Sequence, residues 1–125
     1  MINIKNNQLT QEHEAWKRSL EFYKQENALL KYRLSEMVDQ SEGNHFLQTA
    51  EYFQNELLLK DAGLQRLSRS LQSIQEALHK SRGIGQIEDK NLVLQNELRQ
   101  QIWQFEHDFL QLSNDFNQKM LKSIL

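Results

Sequence analysis

Two long stretches of the chain repeat apolar residues at alternating intervals of four and three positions. An average interval of 3.5 residues places such side chains in one stripe along a single α-helix. The first stripe comprises Leu9, His13, Trp16, Leu20, Tyr23, Asn27, Leu30, Leu34 and Met37. The second comprises Phe46, Ala50, Phe53, Leu57, Lys60, Leu64, Leu67, Leu71, Ile74 and Leu78. The pattern predicts two long helices that each bury one face.

A third stripe follows, made of Leu94, Leu98, Ile102, Phe105, Phe109, Leu112, Phe116 and Met120. The predicted helices span about 9–39, 45–80 and 87–123, and we expect residues 1–8 to be loose. Glu12 and Glu14 should lie in the first turns of the first helix, where the helix dipole favours negative charge. Asn44 or Ser41 is the expected N-cap of the second helix, and Gly63 should be a weak point within it.

These helices predict an all-α fold, an elongated antiparallel three-helix bundle with coiled-coil-like packing. The chain contains no proline and four glycines, so few positions favour turns or strand edges. Its 125 residues fit one domain. A homodimer of such a bundle would form a larger bundle.

Composition excludes several classes of function. The net charge of −2 provides no basic field for nucleic acid. The chain has no cysteine, which excludes disulfides, thiolate metal sites and thiol nucleophiles. It also has no apolar run near the roughly 20 residues that span a membrane. We therefore expect a soluble cytoplasmic protein that binds neither nucleic acid nor membranes.

Polar residues occupy stripe positions at His13, Asn27 and Lys60. If the first two helices fold back around Gly43, Lys60 lies near Tyr23 and Asn27. A buried lysine needs a partner, since an unpaired charge in the core is costly. Two interpretations remain open for this polar layer of His13, Tyr23, Asn27 and Lys60. It is either a binding or proton-handling site, or a set of polar contacts that fixes the helix register.

Glu-x-x-His pairs of the kind that ligate di-iron centres occur at Glu42–His45 and Glu76–His79. They lie at opposite ends of the second helix, about 45–50 Å apart, and cannot share a metal within one protomer. No serine, histidine and acid grouping predicts nucleophilic catalysis. We therefore expect a protein that is not an enzyme and has no catalytic residues, metal ligands or cofactor. The alternative is a ferritin-like or hemerythrin-like metal protein completed across a dimer.

A second apolar ridge runs along the third helix and comprises Leu92, Trp103, Leu110 and Leu121. At 100° per residue these four lie within about 20° of one another and about 120–140° from the main stripe. Ala15, Phe22 and Leu29 form a shorter equivalent on the first helix. The ridge is either ordinary core between helices or an interface, for which Trp103 would be the anchor.

Three segments carry a family resemblance: His13-Glu-Ala-Trp16, Glu21-Phe-Tyr-Lys-Gln-Glu26 and Glu51-Tyr-Phe-Gln-Asn55. They resemble a group of small all-helical proteins from Bacteroidetes genomes that has no assigned activity. The similarity covers roughly the first half of the chain. It implies a small bacterial cytosolic protein and transfers no site residues.

Together these patterns predict a helical-bundle protein that acts through protein–protein contacts. The expected partner is a second copy of the chain or another helical protein, so the protein would serve as a homodimer, scaffold or adaptor.

Overall fold

A computed structural model of the chain describes residues 4–40, 43–80 and 89–124, with side chains described at 7–40, 43, 46–80 and 90–120. These ranges contain three helices, α1 (Ile4–Gln40), α2 (Asn44–Lys80) and α3 (Asp89–Ile124), and no strand. All three pack against one another as a bundle. Each helix is about 55 Å long at 1.5 Å per residue. The predicted all-α three-helix bundle is confirmed.

The first helix is longer than predicted, because it begins at Ile4 rather than near Leu9. Residues 4–8, expected to be loose, form its first turns. This segment contains neither proline nor glycine, so α1 can extend through it. Each residue that the helix adds gains one backbone hydrogen bond. Glu12 and Glu14 consequently lie beyond the first turn, which contains no acidic residue.

Gly43 precedes α2 and adopts a φ of 129°, a conformation that side chains disfavour. The Leu47 amide donates a hydrogen bond to the Gly43 carbonyl at 3.3 Å. Gly43 therefore takes the N-cap position, because its carbonyl accepts the first bond of the helix. The prediction of an Asn44 cap is wrong, since Asn44 is the first residue of α2. Ser41, the other predicted cap, lies outside the described residues.

The helices run up, down and up. α1 and α2 are antiparallel, α2 and α3 are antiparallel, and α1 and α3 therefore run in the same direction and share the narrowest of the three contacts. Between α1 and α2 these directions are shown by the pairs Asn27–Leu57 and Val38–Ala50. Between α2 and α3 they are shown by Phe53–Phe116 and Lys60–Phe105. Between α1 and α3 they are shown by His13–Gln95 and Tyr23–Phe109.

The core follows the predicted stripes of α1 and α2 with few departures. Phe53 and Leu57 are fully buried, and Phe53 packs edge-on against Phe116 with ring centroids 5.3 Å apart. A smaller cluster at one end joins Leu9 and Leu78. Burying an apolar side chain of this size contributes about 1.5–3 kcal/mol. The stripes therefore supply most of the energy that holds the helices together.

The start of the α3 stripe was predicted in the wrong phase. Leu94, expected in the core, is 48% exposed, whereas Asn91 and Gln95 are buried. Counting back from Leu98 by three and then four residues reaches Gln95 and Asn91, so the geometric repeat continues there with amide side chains. Helix rotation, fixed by the aromatic residues farther along α3, decides burial here over hydrophobicity.

Candidate interaction surface and polar layers

A groove separates α1 from α3 at the surface, and four of the apolar side chains that these two helices expose form the candidate interaction surface. Trp103 and Leu110 of α3 are 57% and 54% exposed, and Phe22 and Leu29 of α1 are 54% and 42% exposed. At 100° per residue, Trp103 and Leu110 lie about 40° and 20° around α3 from Arg99. Arg99 reaches across to Glu12 of α1, so this flank of α3 faces α1. We call Phe22, Leu29, Trp103 and Leu110 the apolar rim.

Tyr23 forms the floor of this groove. Its half-buried ring packs edge-on against Phe105 and Phe109, with centroid distances of 5.8 and 5.1 Å. Phe22 packs edge-on against Tyr23 at 5.3 Å and so extends the aromatic cluster to the surface. Burial raises the pKa of Tyr23, and the negative charge of Glu106 raises it further.

The remaining ridge residues differ. Leu92 is half-buried and packs against Leu9 and Leu78, so it belongs to the end cluster rather than to the rim. The side chain of Leu121 lies outside the described residues. For the four rim residues, the interpretation of the ridge as core within one protomer is wrong, because each is more than 40% exposed.

His13 belongs to a buried hydrogen-bond network between α1 and α3. Its side chain is 2% exposed, and its Nε2 lies 2.7 Å from Oε1 of Gln95. The Gln95 amide nitrogen donates to Glu12 at 2.8 Å, which turns the amide oxygen toward His13. His13 must therefore donate from Nε2, since an amide oxygen can only accept.

Glu12 completes this network through Arg99. The guanidinium donates from Nε and from a terminal nitrogen, at 2.7 and 2.6 Å, to the two carboxylate oxygens. These bonds lower the pKa of Glu12, burial opposes them, and the bond from Gln95 adds to the lowering. Arg99 also lies 5.9 Å from the centre of the Trp16 ring. Glu12, His13, Gln95 and Arg99 satisfy one another, and we call them the polar clasp.

Asn27 lies in a second polar layer, between α1 and α2. It is fully buried, and its Nδ2 donates to the Leu57 carbonyl at 2.9 Å and to Asp61 at 2.7 Å. Asp61 also accepts a hydrogen bond from Lys31 at 2.5 Å. Asn27 Oδ1 is a buried atom without a hydrogen-bond partner among the described residues.

Lys60 lies outside this second layer, contrary to the prediction. It is half-buried and lies 5.9 Å from the centre of the Phe105 ring, on the side of α2 that faces α3. Asp61 instead faces α1, where it accepts hydrogen bonds from Asn27 and Lys31. Successive residues of a helix point about 100° apart, so Lys60 and Asp61 face different helices. The predicted polar layer is thus two separate layers. His13 and Asn27 are 14 residues apart in α1, or about 21 Å.

The sequence prediction did not place Gln95, Glu12, Arg99 or Asp61 in a polar layer. Glu12 and Arg99 flank their stripes and carried no motif. Gln95 could have been found by extending the α3 repeat backward from Leu98.

Of the two Glu-x-x-His pairs, only Glu76–His79 has described side chains. Glu76 and His79 are exposed near the end of α2. The side chains of Glu42 and His45 lie outside the described residues. No three histidine, aspartate or glutamate side chains of the described residues converge as metal ligands do.

Comparison with known protein families, with characterised proteins and with solved structures gives no match to this chain. No described helix holds a segment long and apolar enough to cross a bilayer. The resemblance to helical proteins of Bacteroidetes stays a prediction.

Proposed function

We propose that this protein is a non-enzymatic interaction module and that the apolar rim is its contact surface, with a second copy of the chain as partner. The exposure of Trp103, which is 57% exposed on the flank of α3 that faces α1, carries the proposal. Tryptophan is enriched among the side chains that dominate binding energy. Phe22 and Leu29 of α1 are further exposed apolar side chains that a partner would cover together with it.

The positions of the rim residues favour a twofold arrangement. Phe22 and Leu29 are seven residues apart on α1, as are Trp103 and Leu110 on α3. Tyr23 contacts both Phe105 and Phe109, so the midpoints of these two pairs lie within about three residues, or roughly 4–5 Å, along the bundle. A single twofold axis perpendicular to the helices can therefore relate α1 of one protomer to α1 of its partner and α3 to α3.

In that dimer the helices of the two copies run antiparallel. Phe22 of one protomer then packs on Leu29 of its partner, and Trp103 packs on Leu110 of the partner. Reciprocal pairing of this kind is the hallmark of an isologous interface.

The size of the rim indicates how strong the contact is. The four side chains are each roughly half exposed. A dimer covers the rim of both protomers, which gains on the order of 6–12 kcal/mol, against an association cost of about 4–15 kcal/mol. We therefore expect a reversible dimer that dissociates on dilution into folded monomers.

Sedimentation velocity between about 1 μM and 1 mM tests the proposal. We expect the wild type to shift from monomer to dimer and the double variant Trp103→Gln/Leu110→Gln to stay monomeric with unchanged helicity. Leu58→Gln/Leu59→Gln is the matched control, because these two leucines are 52% and 62% exposed on α2, away from the rim. A wild type that stays monomeric, or a dimer lost only in the control, would contradict the proposal.

The alternative is a metal site completed across the dimer. His107 is the observation that favours it, because this exposed side chain lies beside the rim with its ring 4.3 Å from that of Trp103. Metal analysis of dimer purified without chelator tests it. Stoichiometric metal that His107→Ala removes would support this alternative, and its absence from the wild-type dimer would reject it.

A further inference from the structure

A second groove lies between α1 and α2, on the opposite flank of α1 from the apolar rim. Its volume is about 1030 Å³. Lys17, Lys24 and Lys31 line its α1 side, and Arg69 lies on its α2 side. Around α1, these lysines lie on the other side of the core stripe from Glu12, which marks the flank that faces α3. We call this surface the lysine groove.

The bottom of the lysine groove is lined by apolar side chains. Buried Leu20, Leu64 and Leu71 line it from below. Ala28 and Ala62 also line it and are exposed. The distance between packed helices depends on the side chains at their contact, so two alanines allow another helix to approach closely. A groove of this shape suits a fourth helix better than an extended polyanion.

Three of the four cations of the groove have no charged partner among the residues that the structure describes. Lys31 pairs with Asp61. The side chains of Lys17, Lys24 and Arg69 form no ion pair or hydrogen bond with any other residue that the structure describes. The lining contains four cations and two carboxylates, those of Glu21 and Asp61, although the whole chain has a net charge of −2. The lining is therefore net positive although the whole chain is net negative.

The lysines also have a regular spacing. Lys17, Lys24 and Lys31 are each seven residues apart, so they form a row about 21 Å long. A helix lying in the groove would present residues at the same repeat of seven to this row. Glutamates that flank the apolar stripe of such a helix would pair with the lysines, as charged flanking residues do in coiled coils.

We propose that the lysine groove binds an amphipathic helix of another protein, with an apolar stripe flanked by acidic residues. The apolar floor takes the stripe, and Lys17, Lys24 and Arg69 take the acidic flank. Nucleic acid fits this surface less well, because a phosphate backbone gains nothing from the leucine and alanine floor. The groove is separate from the apolar rim, so this inference does not depend on the proposed homodimer.

A designed peptide tests the inference. The probe is a fluorescein-labelled helix of about 21 residues, three heptads, with leucine in the stripe and glutamate on both flanks. A second peptide carries lysine in place of every glutamate. We expect fluorescence anisotropy to show binding of the acidic peptide that weakens with added salt, and at least about tenfold weaker binding of the lysine peptide.

Charge reversal on the protein locates the site. Lys17→Glu/Lys24→Glu should weaken binding of the acidic peptide at least about tenfold. Lys17→Gln/Lys24→Gln should weaken binding less. It removes the two positive charges without placing new carboxylates beside Glu21, which they would repel. Arg18→Glu/Arg33→Glu is the matched control, because it changes the same charge on exposed positions of α1 outside the groove. We expect the control to bind within about twofold of wild type, since neither arginine lines the groove and salt screens exposed charges that make no direct contact.

Three results would overturn the inference. The first is equal loss of affinity in the control and in the groove variants, which would show a general charge effect. The second is equal binding of the two peptides, which would show an apolar contact alone. The third is a short DNA duplex that binds more tightly than the acidic peptide and loses affinity in the same groove variants.

Discussion

Gln95 joins two side chains of α1 from a position in α3 that is 1% exposed. Its amide oxygen accepts from His13, and its amide nitrogen donates to Glu12. Only a side chain with both a donor and an acceptor can do this. A buried donor left without an acceptor costs about 1–3 kcal/mol. The polar clasp therefore stabilises the fold only while all of its hydrogen bonds are made.

Truncating this glutamine should therefore destabilise the bundle. We expect Gln95→Ala to lower the free energy of unfolding by about 1–3 kcal/mol, measured by urea denaturation, because His13 loses its acceptor. Gln100→Ala, at an exposed position of α3, should stay within about 0.5 kcal/mol of wild type. His13→Leu/Gln95→Leu should recover much of the loss, since it removes both polar partners. A double variant as unstable as the single one would contradict this account.

The Glu12–Arg99 pair should make stability depend on acid pH. The pKa of Glu12 in the folded protein is lowered, chiefly by the hydrogen bonds from Arg99. Its contribution is therefore complete at neutral pH, declines as the pH falls below the usual glutamate value of about 4.3, and is lost below the folded-state pKa. We expect the melting temperature of Glu12→Gln to fall less than that of wild type between pH 6 and pH 3. Parallel curves would show that the pair contributes nothing.

The repeat of four and three residues predicted the three helices and most of their buried faces. It failed at two helix ends for different reasons. Residues 5–8 are polar, yet they continue α1 because helix propagation does not require an apolar stripe. Leu94 is exposed and Gln95 is buried, the reverse of the expectation. The rotation of a helix about its axis is the same for all of its residues, so one end cannot turn independently to bury an apolar side chain. The apolar side chain at an end then follows the phase fixed by Phe105 and Phe109.

α2 passes Gly63 without a break, and the two described glycines should respond oppositely to alanine. A Cβ at Gly63 would lie 3.5 Å from the Phe105 ring, an ordinary contact. Gly63→Ala should therefore stabilise the protein by up to about 1 kcal/mol, because alanine favours the helix. Gly43→Ala should destabilise it by about 1–3 kcal/mol, because φ there is 129°. Thermal unfolding measures both, and a shared direction of change would contradict the argument.

Bundle handedness accounts for what the sequence could not predict about the surfaces. The stripes define the inner face of each helix, but they do not say which flank of α2 meets α1. Asp61 and Lys60 are adjacent, and only the assembled bundle places Asp61 toward α1 and Lys60 toward α3. In the same way, the sequence located the Trp103 ridge and the Phe22–Leu29 pair separately. Their position on one groove follows from the side on which α3 packs.

The apolar rim and the lysine groove lie on opposite flanks of α1, which allows each to be changed without the other. We expect Trp103→Gln/Leu110→Gln to bind the acidic peptide within about twofold of wild type, because those residues are outside the lysine groove. Lys17→Glu/Lys24→Glu should keep the concentration dependence of the wild-type dimer in sedimentation. If the rim variant also lost the peptide, the peptide would be covering Trp103, or the groove would require the dimer. Repeating the titration at protein concentrations where the wild type is monomeric separates these two explanations. If the peptide covers Trp103, the monomeric wild type still binds it and the rim variant does not. If the groove requires the dimer, neither protein binds the peptide at these concentrations.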